Sequence, residues 1–237
     1  MKRRSMRSCA RSSVEMPIAS STKSTATTPV GIRTTAMCAN TNPAFEMPSA
    51  SVDETVFGLP GPEIPPAASL AELLVSRMIK ARKVLVTAES CTAGKLAHLI
   101  SEVPGAAQVL EGGFVVYSKH AKLQLLGVGR DLIADFTAVS EAVARAMVAG
   151  ALERSGADLA IASTGITGTE PDEDGNPLGR LHVAAGLRNG SRIHRHCEFG
   201  SLSPDVLTHA ALQMALLSAL ELVDRPKGGK PLFDPGA

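Results

Sequence analysis

Along the first 66 residues the hydrophobic positions keep neither a 2-residue nor a 3.6-residue period, whereas from residue 67 onward the two periods alternate. Leu70, Leu73, Leu74 and Met78 share one side of a helix expected to start at an N-cap on Ser69 and run to about Ala81, with Glu72 placed as in a capping box. Val84, Leu85 and Val86 then form the short apolar run of a strand covered on both faces. Helical spacing returns with Leu96, Leu99, Ile100 and Val103. Gly112-Gly113 leads into a second strand, Phe114 to Tyr117, after which Ser118 caps a helix closed by Gly127. Ser140 caps the next helix, to about Arg154, and its narrow face of Ala144, Val148 and Ala151 suggests close packing of the kind a dimer uses. Asp158 to Ser163 reads as a third strand. Leu181 to Leu187 and Arg192 to Phe199 alternate as two more, joined by the hairpin signal Asn189-Gly190. A two-residue turn there would set His182 opposite Cys197 and leave His194 and His196 on the other face, too few ligands per face for a metal site. Ser203 and Pro204 open a last helix to about Val223, with Leu207, Ala211, Met214 and Leu217 inward.

Strands alternating with helices and followed by a hairpin imply an α/β fold, a three-layer α/β/α sandwich on a mixed sheet, spanning residues 67–224. Residues 1–66 are rich in Ser, Thr, Pro and Arg and poor in large apolar side chains, so burial cannot offset their ordering entropy. They are expected to be an unordered extension or a misassigned start, with Met47 or a nearby codon as the beginning and Leu59 to Pro66 as a stiff linker. Residues 225–237 are expected to be a flexible tail.

The chain has 237 residues, 44% of them hydrophobic, and a formal net charge of +1, so no global field points to nucleic acid or a membrane surface. Trp is absent and there is 1 Tyr, which leaves little surface on which bases could stack. The apolar runs stop short of the roughly 20 residues that span a bilayer. The 4 cysteines lack C-x-x-C spacing, so neither a disulfide framework nor a zinc site is indicated, and a reducing, cytoplasmic setting is expected. The acidic run Glu170 to Gly179 misses the spacing of a calcium loop and reads as a solvated or lid loop.

Chemistry concentrates where the first strand breaks into Glu89, Ser90, Cys91, Thr92, Ala93 and Gly94 before a helix. A hydroxyl there lies beside unpaired helical N–H groups, which makes Ser90 a candidate nucleophile. By residue type alone, the commoner reading is that Ser90 and Thr92 cap the helix. Tyr117 and Lys122 would point about 140° apart on one continuous helix. Across a strand-to-helix junction both can face one cleft, where burial and the helix dipole would lower the lysine pKa and fit it to act as a base.

The string Glu89-Ser90-Cys91-Thr92-Ala93-Gly94 resembles the E-S-C-T-G-G signature of the CinA C-terminal domain, or nicotinamide-nucleotide amidohydrolase, family. Gly113 to Ser118 followed by Ala121-Lys122 resembles that family's G-F-V-T-Y-S-N-E-A-K, Ala138 to Glu141 its A-V-S-E, and Thr164 to Gly168 its T-G-I-A-G. The resemblance runs from about Leu70 to about Val223. It implies a cytoplasmic, dimeric amidase without cofactor or metal that converts nicotinamide mononucleotide to nicotinate mononucleotide and ammonia. Ser90 would attack, Lys122 would carry the proton, and Tyr117 would orient or polarise the pair. Glu89, Thr92, Ala93, Gly94, Thr164, Gly165 and Gly168 would hold substrate, with N–H groups around Thr92 to Gly94 as the oxyanion site. The chain departs from the family pattern at Ala93 and Lys119, in Thr169 to Asp174, and in Asp205 to His209, where the family commonly carries arginines. Two alternatives follow: an amidase of the same chemistry on a less anionic amide, and a non-catalytic interaction module.

Overall fold

The chain builds one mixed sheet whose strands lie in the order β1 (Cys38–Asn40), β6 (Arg192–Glu198), β5 (Arg180–Leu187), β4 (Leu159–Gly165), β2 (Leu85–Glu89), β3 (Leu110–Val115). The computed structural model describes residues 38–40 and 64–224. β2 runs parallel to both β3 and β4, while β5 pairs antiparallel with β4 and with β6. One face carries α1 (Ala67–Ala81), α2 (Lys95–Ser101) and α6 (Pro204–Asp224), packed on Leu85, Leu159, Ile161, Leu181, Val183 and Ile193. The other carries α3 (Lys119–Leu126), α4 (Arg130–Phe136) and α5 (Glu141–Glu153), packed on Val86, Ala88, Ala160, Ala162 and Ala184. This is the expected three-layer α/β/α sandwich. The central strands β2 and β4 read as continuous apolar runs because helices cover both of their faces.

Several boundaries differ from expectation for local reasons. α1 starts at Ala67 after Pro66, whose ring holds the preceding backbone extended, so Ser69 lies inside the helix and the capping box does not form. β3 begins at Leu110 and includes both glycines, since a Cβ on Gly113 would stand 2.6 Å from Thr87 Oγ1 on the neighbouring strand. α4 had no counterpart in the hydrophobic pattern, and Ile133 is its one buried residue. The small face of α5 is covered within this chain: Ala144, Val148 and Ala151 are buried on the sheet, which accounts for their size without a second copy. α6 is long and apolar enough to cross a membrane, but most of its residues are buried here between α1 and the sheet.

The hairpin closes one residue away from expectation. Leu187 N–H donates to Ser191 O, so the loop holds three residues, and Gly190 takes the left-handed φ of 100° that such a loop needs. A one-residue slip flips a strand's faces, and His182 therefore opposes His196 and joins His194 on the α5 side. Cys197 is disulfide-bonded, contrary to expectation, and the strand register sets Cys38 across from it. No C-x-x-C spacing marks Cys197 in the sequence, so the bridge had no local signature. β1 is likewise a strand where none was expected. The remaining expectations for residues 1–63, and that for residues 225–237, lie outside the described residues.

Candidate active site

At the C-terminal ends of β2 and β4, Ser90 and the loop after Thr164 border a cavity of about 570 Å³. Open α/β sheets bind ligands at this end of their strands. Ser90 N–H donates to Ser163 O at 2.9 Å, which pins the residue between the two strands, and Ser90 itself is 6% exposed. Ser118 caps α3 by accepting from Ala121 N–H at 3.0 Å. That cap sends Lys122 back under the end of β3 rather than out to solvent.

Lys122 is only 1% exposed. Its Nζ donates to Ser90 Oγ at 2.8 Å, to Val116 O at 3.0 Å and to Tyr117 O at 3.4 Å. Burial, with a smaller push from Lys119, lowers its pKa to about 8. Tyr117 enters the cluster through its main chain: its carbonyl also accepts from Ser90 Oγ at 3.5 Å, while the residue is 72% exposed. Tyr117 was expected to orient or polarise the Ser-Lys pair, and it is its peptide carbonyl that makes both contacts.

Cys91 also borders the cavity, yet burial raises its thiol pKa to about 12, so it stays protonated at neutral pH.

Of the residues expected to hold substrate, Thr164, Gly165 and Gly168 line the cavity; Glu89, Thr92, Ala93 and Gly94 do not. Glu89 is wholly buried, and its carboxylate accepts from Thr87 Oγ1 (2.9 Å), Thr92 Oγ1 (2.8 Å) and the N–H groups of Gly94 (2.9 Å), Leu96 (3.0 Å) and Ala97 (2.9 Å). It satisfies the start of α2, and the five donors take up the acceptor sites that a ligand would need. Thr92 Oγ1 also shares a 2.8 Å hydrogen bond with Ser163 Oγ, which ties this network to the strand behind Ser90. Ala93 N–H donates to Ser90 O and Gly94 N–H to Glu89, so neither is available as the expected oxyanion donor. Ala93 sits at a φ of 50°, a left-handed conformation in which glycine is unstrained, in line with the glycine that the resembled signature carries there.

The rest of the wall comes from segments that the sequence marked as a family motif or as departures from the family pattern, without placing their side chains. Ala138 and Val139 enter it because Thr164 Oγ1 donates to Ala138 O at 2.8 Å and draws the segment before α5 against β4. Lys119 on α3, with Glu170, Asp172 and Glu173 on the loop after Gly168, forms the outer part. Lys119 Nζ pairs with Glu173 at 2.6 Å and Asp174 at 2.8 Å, a link that folds the loop over the start of α3. Three of the chain's histidines, His182, His194 and His196, stack beside one another outside the cavity. No group of His, Cys, Asp and Glu among the described residues has metal-ligand geometry.

Residues 67–223 match the model of a family described as CinA C-terminal domain. The chain is 43% identical over 126 residues to a CinA-like protein of Akkermansia muciniphila, covering 53% of this chain and 30% of that protein. It is 46% identical over 126 residues to one of Mycolicibacterium vanbaalenii, covering 53% and 28%. The chain thus matches less than a third of the length of these relatives. Among solved structures it is similar to the competence/damage inducible protein CihA of Agrobacterium tumefaciens, at 35% identity and a TM-score of 0.64, covering 66% of this chain and 94% of that one. A CinA superfamily protein of Escherichia coli is similar at 34% identity and a TM-score of 0.62, covering 65% and 88%.

Proposed function

This chain belongs to the CinA C-terminal domain family, and we propose that it is an amidohydrolase in which Ser90 is the nucleophile and Lys122 the base. The substrate that the resemblance implies is nicotinamide mononucleotide, hydrolysed to nicotinate mononucleotide and ammonia. The observation that carries the reading is the 2.8 Å contact between Lys122 Nζ and Ser90 Oγ on the floor of the cavity.

A neutral lysine amine has two protons and one lone pair. Val116 O and Tyr117 O accept the two protons, and the lone pair is then left for the Ser90 hydroxyl. With its pKa lowered to about 8, the amine is neutral in about a tenth of molecules at pH 7, against about one in three thousand for an ordinary lysine.

Ser90 Oγ attacks the carboxamide carbon as its proton passes to Lys122 Nζ. The tetrahedral adduct collapses, the C–N bond breaks, and Lys122 returns the proton to the departing nitrogen, which leaves as ammonia. Water then attacks the Ser90 ester with Lys122 again as base, freeing the carboxylic acid and the serine. Every step uses side chains of this chain and water, with no call on a cofactor.

The test is ammonia release from a panel of carboxamides that includes nicotinamide mononucleotide, with intact-mass detection of the acyl-Ser90 ester. Release that disappears in Ser90→Ala supports the reading. No release from any amide would instead favour a non-catalytic interaction module.

A further inference from the structure

The charged side chains of the cavity wall divide into those already committed to the protein and one that is not. At the floor, Lys122 shares its protons among Ser90 Oγ, Val116 O and Tyr117 O. At the rim, the Lys119 ammonium is neutralised by Glu173 and Asp174 at 2.6 and 2.8 Å. The Asp172 carboxylate is spent on its own loop, accepting from Asp174 N–H at 3.1 Å and from Asn176 N–H and Nδ2, each at 2.8 Å. Glu170 is exposed on the same wall and has no protein partner among the described residues. His120, Tyr117 and Cys91 complete the titratable groups that line the cavity.

Resting on the amidohydrolase reading, we propose that the substrate of this site is a carboxamide whose far end is neutral or cationic rather than phosphorylated, and that Glu170 sets this preference. A phosphate dianion is held by charge-assisted donors, usually an arginine fork or a cluster of backbone N–H groups. No arginine among the described residues lines this cavity, and the lysine at its rim would have to leave two carboxylates to reach a phosphate. An N-alkylated pyridine carboxamide brings a positive ring to the same wall, and Glu170 attracts it without any group having to change partner. The substrate class thereby narrows from a nucleotide to its unphosphorylated relatives.

The test compares initial rates of ammonia release by the full chain from nicotinamide riboside and from nicotinamide mononucleotide, at low and high salt, for the wild type and for Glu170→Lys. The two substrates share the reacting carboxamide and the cationic ring, and they differ only in the phosphate. Expected is a wild-type kcat/KM for the riboside equal to or above that for the mononucleotide. Glu170→Lys is expected to move the ratio about tenfold toward the mononucleotide, and added salt to shrink that movement, because both charges face solvent. A wild type that prefers the mononucleotide, or a ratio unmoved by Glu170→Lys, overturns the proposal and leaves the amidohydrolase reading standing. Ammonia from neither substrate overturns the reading itself and the proposal with it.

Discussion

Lys122 Nζ meets Ser90 Oγ at 2.8 Å although the two residues come from different strand-to-helix junctions of the sheet. Ser90 follows β2 and Lys122 lies in α3, which follows β3, and β2 and β3 are parallel neighbours that end side by side. A lysine so placed loses its hydration and recovers only neutral acceptors: a hydroxyl and two peptide carbonyls. Desolvation therefore dominates its pKa, and the same burial that weakens the ammonium prepares the amine.

The first prediction follows from that pKa. If Lys122 must be neutral to act, kcat/KM rises with pH and levels off above an apparent pKa near 8. Lys122→Met should lower kcat at least about a thousandfold, the scale of lost covalent catalysis, while leaving substrate affinity largely intact. A flat profile between pH 6 and 9 in the wild type would remove Lys122 from the proton path.

The same burial has a stability signature. Because the folded pKa is lowered from 10.5 to about 8, the unfolded chain binds the extra proton between those values, and Lys122 costs stability below pH 8 that is recovered as pH rises to 10.5. The recovery amounts to about 3 kcal/mol. Urea unfolding of the wild type and of Lys122→Met at pH 7.5 and 10.5 reads it as a difference of differences. A gap between the two proteins that stays constant across that range would contradict the burial argument.

Cys91 tests the choice of nucleophile. Its thiol is buried, with a pKa pushed up to about 12, so it lacks the thiolate that a cysteine nucleophile needs. Ser90→Ala should lower kcat about a thousandfold or more, and Cys91→Ala far less. Iodoacetamide should leave most activity in place. Rapid inactivation that substrate prevents, together with an active Ser90→Ala enzyme, would reverse the assignment.

The layers of the fold were legible in the sequence because period and caps are local signals: Ser118, Gly127 and Ser140 stand where the pattern put them, whereas Ser90 and Lys122 were singled out by the family resemblance. The roles of Glu89 and Tyr117 were not legible. Residue type suggests a carboxylate and a phenol facing substrate, whereas the backbone path turns the first inward to five donors and lets the second act through its carbonyl. The outer wall was hidden for another reason. The pairing of Lys119 with Glu173 and Asp174 joins two segments that no sequence period connects.

Glu89 supplies a prediction of its own. Glutamine at this position would turn one acceptor oxygen into a donor facing groups that are themselves donors, at a fully buried site. Glu89→Gln should cost about 3 kcal/mol of stability, the penalty for stranded buried polar groups around a lost charge. It should also lower kcat, because the network reaches Ser163, whose carbonyl fixes Ser90. A variant as stable as the wild type in urea would show that the network does not brace the site.

The histidine stack connects the hairpin register to acid sensitivity. A three-residue loop places His182, His194 and His196 on the α5 face, with His182 Nδ1 3.1 Å from His194 Nε2 and the His182 and His196 rings 4.4 Å apart. Burial first, and then mutual repulsion with His196 and His194, lowers His182 to about 3. Burial lowers His194 to about 4, with Glu141, 3.5 Å from its Nδ1, pulling the other way. Both rings are thus neutral in the folded chain at pH values where the unfolded chain, near the ordinary 6.5, takes up protons. The unfolded state binds more protons below pH 6.5, so stability falls as pH drops from there toward 4, and at pH 5 each histidine should account for about 2 kcal/mol of the loss. Urea midpoints at pH 7 and pH 5 should differ less in His182→Gln than in the wild type, by about that amount. Had the hairpin closed with a two-residue turn, His182 would stand alone on the opposite face and the variant would lose as much stability on acidification as the wild type, which is the result that would count against this account.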